Sequence, residues 1–108
     1  MKLNVIVLVS GGGTNFQAIL DQIADGRLNN VRVTGVISSR EGVRALDRAR
    51  VNGIPSTVVS RKAYPDLSEY DRALLAAVDQ LSVEPVGLIV LAGFLSFLGP
   101  AFIDRFRG

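Results

Sequence analysis

The stretch LNVIVLVSGGGTN, residues 3–15, decides the fold of this chain. Its first part, Leu3 to Val9, is apolar and largely β-branched, broken only by Asn4, which is typical of a strand buried on both faces of a sheet. Three glycines follow, and apolar residues then recur with the helical period at Phe16, Ile19, Leu20 and Ile23. The stretch therefore predicts a strand that passes through a glycine-rich loop into an amphipathic helix.

Three further strand patterns alternate with helical patterns along the chain. Residues 31–38, 54–59 and 86–91 have the composition of strands, and Pro55 suits an edge position. Residues 42–51 are predicted to form a helix with Val43 and Leu46 inward, and a last helix is predicted from 99 through 103. A capping box that begins at Ser68 opens a helix whose inner face carries Tyr70, Leu74, Ala77 and Leu81. The alternation predicts one α/β domain over residues 1–108, an open parallel sheet of four strands in the order 3-2-1-4 with flanking helices.

Composition excludes several classes of function. The 108 residues include no cysteine and no histidine, so disulfides, thiol nucleophiles and the usual metal ligands are excluded. A net charge of +2, with carboxylates interspersed among the basic residues of 40–50, predicts no nucleic-acid partner. No apolar run approaches the roughly 20 residues of a membrane span. We expect a cytoplasmic protein without a signal peptide.

The glycine-rich loop is predicted to bind a phosphate. Backbone N–H groups at a helix N-terminus, together with the helix dipole, favour an anion, and the candidate residues are Gly12, Gly13, Thr14 and Asn15. Thr14 also fits an N-cap, with Gln17 completing a capping box. A dinucleotide fingerprint fits less well, because Phe16 stands at its third glycine position and no carboxylate follows the second strand. Arg40 could bind a 2′-phosphate at that position, so NADP stays an alternative ligand.

A second loop, residues 92–98, follows the fourth strand on the other side of the predicted switch point. Parallel sheets bind ligands at such a point, so the two loops should flank one crevice. The apolar residues around Gly93 form either one wall of a pocket for a flat ligand or ordinary core packing. Asp66, Asp71 and Asp79 fall on or near a helix predicted to be solvated, so we assign them no role, and no catalytic residue is predicted.

The fourth strand, Val86 to Leu91, carries no charge or proline within it, although the predicted order places it at a sheet edge. Either a further segment pairs there or a second copy of the chain does, as a homodimer. The chain thus has the pattern of an incomplete sheet.

Four segments together resemble the N-terminal half of the glycinamide ribonucleotide formyltransferase family, over essentially all 108 residues. They are VLVSGGGTNFQAI at 7–19, SSR at 38–40 followed by ALDRA at 45–49, EYDR at 69–72, and VLAGFL at 90–95. Any one of them alone would be a weak signal. In combination they are specific.

The resemblance implies a Rossmann-like formyltransferase fold and a role in purine biosynthesis. The reaction implied is formyl transfer from the cosubstrate 10-formyltetrahydrofolate to glycinamide ribonucleotide, with no metal. The phosphate would lie on residues 12–15, and the folate on Gly93, Leu95, Ser96, Phe97, Leu98, Phe102 and Ile103. The family's catalytic Asn-x-His pair and later Asp have no counterpart within these 108 residues, so we expect the chain alone to be inactive.

Two positions depart from the family pattern, because Ser96 and Leu67 stand where family members often have arginine. The related formyltetrahydrofolate deformylases, which hydrolyse the formyl group, are an alternative. A non-catalytic mononucleotide-binding module is another. Binding of a ribose phosphate without turnover would fit either a module or a half-enzyme.

Overall fold

Strand β1 (Leu3–Val9) forms the centre of the sheet in a computed structural model that describes residues 3–11, 14–27, 30–64, 66–81 and 88–91. The other elements, in chain order, are α1 (Thr14–Ala24), β2 (Val31–Ser38), α2 (Arg44–Val51), β3 (Ser56–Val58), α3 (Leu67–Leu81) and β4 (Leu88–Leu91). A short 3-10 turn at Arg61–Ala63 precedes α3. Among the described residues, no helix has both the length and the apolar character of a membrane span.

The described strands form an open sheet in the order β3-β2-β1-β4, with every pairing parallel. The β1–β2 register shifts by one residue between Val5 and Ile6. At the shift the Thr34 hydroxyl donates to the Val5 carbonyl oxygen at 3.3 Å, so that a side chain provides the donor in place of a backbone N–H. The predicted open parallel α/β sheet is confirmed.

β1 is buried on both faces, as its sequence predicts. Ile6 and Leu8 pack toward α3, in the cluster Ile6, Leu8, Ile37, Val59, Tyr70, Leu74, Ala77 and Val78. The alternate residues pack toward α1 and α2, in the cluster Val5, Val7, Val9, Phe16, Val36, Ala45 and Ala49. Burial of each large side chain contributes about 1.5–3 kcal/mol. The two cores fix β1, and with it the position of the loop that follows.

Two helices differ in detail from their predictions. In α2 the inward residues are Ala45 and Ala49, which are fully buried, whereas Val43 precedes the helix and Leu46 is half-buried. Small side chains four residues apart allow α2 to lie close to the sheet. In α3 the cap is Asp66 rather than Ser68, because the Asp66 carboxylate accepts the Ser68 N–H at 2.8 Å.

The predicted inner face of α3 is confirmed, and its close approach to the sheet depends on a glycine. Tyr70, Leu74 and Ala77 are buried, and Leu81 packs against the same cluster. A Cβ placed on Gly35 would lie 2.9 Å from a terminal carbon of Leu81, well inside normal contact. The last turn of α3 therefore packs over bare backbone in β2.

The third strand is shorter than predicted, and the predicted start of the fourth strand lies outside the described residues. β3 is limited to Ser56–Val58, and Pro55, which has no N–H for a ladder, contributes only its carbonyl oxygen to the Val36 N–H at 3.0 Å. β4 begins at Leu88 in the described part of the chain, so residues 86 and 87 lie outside it. The predicted last helix, 99–103, also lies outside the described residues.

Candidate functional site

The carboxyl ends of β1, β2 and β3 meet at one edge of the sheet, because the strands are parallel. β1 pairs with β2 on one side and with β4 on the other, and the chain leaves β1 at Ser10 between them. This is the point where the strand order reverses direction, the usual position of a ligand crevice in an open α/β sheet. We therefore take the residues that follow β1 and β2 as the candidate site.

The first loop joins a buried serine to the exposed start of α1. Ser10 is 1% exposed and Gly11 is half-buried, whereas Thr14 and Asn15 are exposed in the first turn of α1. The N–H groups of a first helical turn have no partners within the helix, and the dipole adds partial positive charge there. Thr14 and Asn15 are thus placed where an anion would be stabilised. The predicted residues Gly12 and Gly13 lie outside the described part of the chain.

Gly11 is a glycine that the described fold itself does not require. Its φ is not positive, in contrast to Gly26, Gly42 and Gly53. A Cβ built on it would meet no atom of the described neighbours within 4 Å. Among the described residues, the backbone of Gly11 therefore has open space beside it at the carboxyl edge of the sheet.

The loop after β2 is closed by two serines with different partners. The Ser38 hydroxyl accepts the Arg40 N–H at 3.1 Å and donates to the Arg40 carbonyl oxygen at 2.6 Å. The Ser39 hydroxyl lies 2.6 Å from that of Ser10, and both serines are buried. Ser38 thus stabilises its own turn, whereas Ser39 connects its turn to the first loop.

Backbone bonds extend this connection. The Ser39 N–H donates to the Val9 carbonyl oxygen at 3.0 Å, and the Arg61 N–H donates to the Ser39 carbonyl oxygen at 3.2 Å. At the start of α2, the Ala45 N–H donates to the Gly11 carbonyl oxygen at 3.3 Å. The ends of β1, β2 and β3 are therefore joined into one hydrogen-bonded unit.

The capping box predicted for α1 is wrong. The helix begins at Thr14, so Thr14 is not the residue before it. The Gln17 amide oxygen accepts from the Arg48 guanidinium at 3.0 Å, and its NH₂ donates to the Asp21 carboxylate at 2.9 Å. A charged donor from α2 outcompetes the backbone for this amide. Gln17 thus joins α1 to α2 instead of capping α1.

The segment after β3 is fixed by an arginine that contacts its own chain. The Arg61 guanidinium donates to the Tyr64 carbonyl oxygen and lies 5.3 Å from the centroid of the Tyr70 ring. The Tyr64 and Tyr70 rings are 6.4 Å apart and tilted. These contacts fix the segment that leads from β3 into α3.

A groove of about 280 Å³ lies between α1 and α2. It is lined by side chains of mixed charge and polarity, namely Gln17, Arg44, Asp47, Arg48, Val51 and Asn52. Of the predicted binding residues, Thr14 and Asn15 are described and neither lines it. The Asp47–Arg50 ion pair at this groove, with N–O 3.4 Å apart, is largely exposed and therefore screened by solvent. We do not assign the ligand site to this groove.

The three aspartates considered in the sequence analysis differ in their exposure to solvent. Asp66 and Asp79 are exposed, but Asp71 is 1% exposed, so its predicted solvated position is wrong.

Leu67, at one of the two departures from the family pattern, is half-buried against the core cluster around Tyr70. In the described ranges, acidic residues do not gather into a group that could hold a metal ion.

The predicted folate residues lie outside the described part of the chain. They are Gly93, Leu95, Ser96, Phe97, Leu98, Phe102 and Ile103. β4, which precedes them, is described, and its last residue Leu91 pairs with Leu8 of β1. The chain therefore leaves β4 next to the point where β1 leads into the first loop.

Comparison with known proteins gives a consistent result. The formyl transferase family matches residues 3–108. The chain is 34% identical to phosphoribosylglycinamide formyltransferase of Escherichia coli (strain K12) over 106 residues, which cover 98% of this chain and 48% of that protein. It is 40% identical over 108 residues to the trifunctional purine biosynthetic protein adenosine-3 of Drosophila melanogaster, covering 99% of this chain and 8% of that protein.

Solved structures agree with the sequence matches. The phosphoribosylglycinamide formyltransferase of Coxiella burnetii superposes with a TM-score of 0.88 at 34% identity, over 100% of this chain and 49% of that one. Glycinamide ribonucleotide transformylase 1 of Geobacillus kaustophilus gives a TM-score of 0.88 at 30% identity, over 100% and 55%. The chain thus spans about half the length of the Escherichia coli relative and of these structures.

Proposed function

The chain belongs to the formyl transferase family, and on this premise we propose that residues 1–108 are the phosphate-binding part of a phosphoribosylglycinamide formyltransferase that works in the cytoplasm. The reaction would move a formyl group from 10-formyltetrahydrofolate to the amine of glycinamide ribonucleotide in purine biosynthesis. One observation carries the proposal. The start of α1 and the open backbone of Gly11 lie together at the switch point of the sheet.

The phosphate would be bound by backbone donors of the first loop. Thr14 and Asn15 present N–H groups at the start of α1, and Gly12 and Gly13 would add theirs. A hydrogen bond to a charged group contributes about 1.5–3 kcal/mol, roughly twice a neutral one. Gly11 would allow the phosphate to approach the backbone closely, since it has no side chain and no atom of its described neighbours would meet a Cβ there.

The folate would bind next to the nucleotide. Leu91 pairs with Leu8, so the chain segment that carries Gly93 and residues 95–98 starts beside the first loop. Phe102 and Ile103 would support that segment from behind. This adjacency would bring the formyl donor and the ribonucleotide amine to one crevice, which is the geometric requirement of a direct transfer.

Formyl transfer itself would need groups beyond this chain. The amine attacks the formyl carbon and loses a proton, and the bond from that carbon to the folate nitrogen breaks as this nitrogen gains a proton. The sequence has no histidine, and neither residues 10–13 of the first loop nor residues 92–98 include a carboxylate, lysine or tyrosine. We therefore propose that the chain binds its substrate but does not turn it over alone.

Calorimetry of the 108-residue chain tests this proposal. We expect glycinamide ribonucleotide to bind and glycinamide riboside, which lacks the phosphate, to bind at least tenfold more weakly. Equal affinity for the two compounds, or no binding of either, would contradict phosphate recognition. In a parallel assay the chain should consume no 10-formyltetrahydrofolate. Formate release in the absence of ribonucleotide would instead support the deformylase alternative.

A further inference from the structure

Ser39 lies where three strand ends join, although it cannot reach a ligand as an exposed side chain. It is 3% exposed, and its hydroxyl is 2.6 Å from that of Ser10, a residue 29 positions away in the sequence. Its N–H bonds to the carbonyl oxygen of Val9, and its own carbonyl oxygen accepts from Arg61. One residue therefore contacts the chain segments that follow β1 and β3.

The Ser10–Ser39 contact extends the β1–β2 pairing beyond the end of the ladder. The ladder ends at the pair Val9 and Ser38. At and past this pair, the segment 39–45 holds the last residue of β1 and the first two residues of the loop: Val9 through its carbonyl oxygen, Ser10 through its hydroxyl, and Gly11 through its carbonyl oxygen. The entry to the first loop is thus fixed at each of its described residues, Ser10 and Gly11.

This bonding pattern suits a loop that must accept an anion. Carbonyl oxygens repel a phosphate, and those of Val9 and Gly11 are both bound to N–H donors of the chain itself. A buried hydroxyl pair is not needed for packing, since two alanines would fill a similar space without polar groups to satisfy. We therefore explain the pair by its hydrogen bond, which joins the first loop to the loop after β2 in a fixed geometry.

We propose that Ser39 is a positioning residue, which acts through Ser10 to hold the phosphate loop in its binding conformation. The proposal rests on the proposed function of that loop. The Ser39→Ala variant loses the hydroxyl contact but keeps both backbone bonds, so the fold survives and the loop loosens. We expect a ribose 5-phosphate affinity about fivefold to tenfold weaker, the equivalent of one net hydrogen bond.

A double-mutant cycle with a matched control tests this role. Ser10→Ala should weaken binding at least as much as Ser39→Ala does, and the double variant should be no weaker than Ser10→Ala alone, because the Ser10–Ser39 bond is already lost in that variant. Ser38→Ala is the control, since Ser38 is equally buried but its hydroxyl bonds only within its own turn in the described contacts. Its affinity should stay within twofold of the unmodified chain.

Amide hydrogen exchange without ligand gives a readout that is independent of binding. Ser39→Ala should speed exchange at Gly11, Thr14 and Asn15 by at least threefold relative to Ser38→Ala. Equal exchange in the two variants would overturn the positioning role, as would additive losses of affinity or an equal loss in Ser38→Ala. If the unmodified chain binds no ribose 5-phosphate, the proposed function fails, and the exchange comparison still decides whether Ser39 holds the loop.

Discussion

Replacing Gly11 by alanine tests whether a ligand approaches the backbone of the first loop. The substitution adds one methyl group at a residue whose φ is not positive and whose Cβ would meet no described neighbour within 4 Å. The bond from the Ala45 N–H to the Gly11 carbonyl oxygen involves backbone atoms alone and is unaffected. The folded chain should therefore accept the alanine without strain.

The expected effects on stability and on binding have opposite signs. An alanine at a compatible position lowers the entropy of the unfolded chain and stabilises by about 0.4–1 kcal/mol. If the methyl group prevents one hydrogen bond to the phosphate, binding loses about 1.5–3 kcal/mol. That loss corresponds to roughly a 10- to 150-fold weaker affinity.

Calorimetry with ribose 5-phosphate and thermal unfolding measure the two effects separately. Gly26→Ala is a matched control, because Gly26 lies beyond the C-terminal end of α1 with a φ of 88°. That variant should lose stability and keep its affinity. The reasoning is refuted if Gly11→Ala binds within twofold of the unmodified chain, or if it unfolds at as low a temperature as Gly26→Ala.

Three further predictions concern the scaffold, each measured by denaturant unfolding. Gly35→Ala should lower the free energy of unfolding by about 1–3 kcal/mol, because the new Cβ overlaps Leu81. An unchanged denaturation midpoint would show that α3 can move away from the sheet without a loss of stability. Asp66→Ala should cost about 1 kcal/mol through loss of the cap on the Ser68 N–H, whereas Asp66→Asn should keep most of the stability; equal losses would refute the capping role. Phe16→Ala should cost about 3–5 kcal/mol, since Phe16 is fully buried, and a loss below 1 kcal/mol would contradict its place in the core.

The elements with strong periodicity could be predicted from the sequence. β1 is apolar at every core position on both faces, so its burial follows from composition alone, and α3 shows its inner face by spacing. Asp71 could have been placed as well, because it precedes Leu74 and Val78 by three and seven residues on that face. The first residue of α3 is harder to predict from the sequence, since Asp66 and Ser68 are both residue types that cap helices and only the structure shows which one does so.

The candidate site was predictable in position but not in its internal bonding. Topology alone brings the start of α1 to the switch point, and Thr14 and Asn15 lie there. The Ser10–Ser39 contact joins residues 29 positions apart and depends on strand register, which shifts at Val5. Two serines that directly follow neighbouring parallel strands are a signal for such a pair, but only once the register is known.

Backbone amide NMR of the chain, titrated with ribose 5-phosphate, tests the central claim most directly. The account predicts the largest saturable shifts at Gly11, Thr14 and Asn15, with smaller changes at Ser39, which is bonded to the same loop. It is contradicted if the largest shifts fall in the groove between α1 and α2, at residues 44–52, or if the amides of the first loop do not respond.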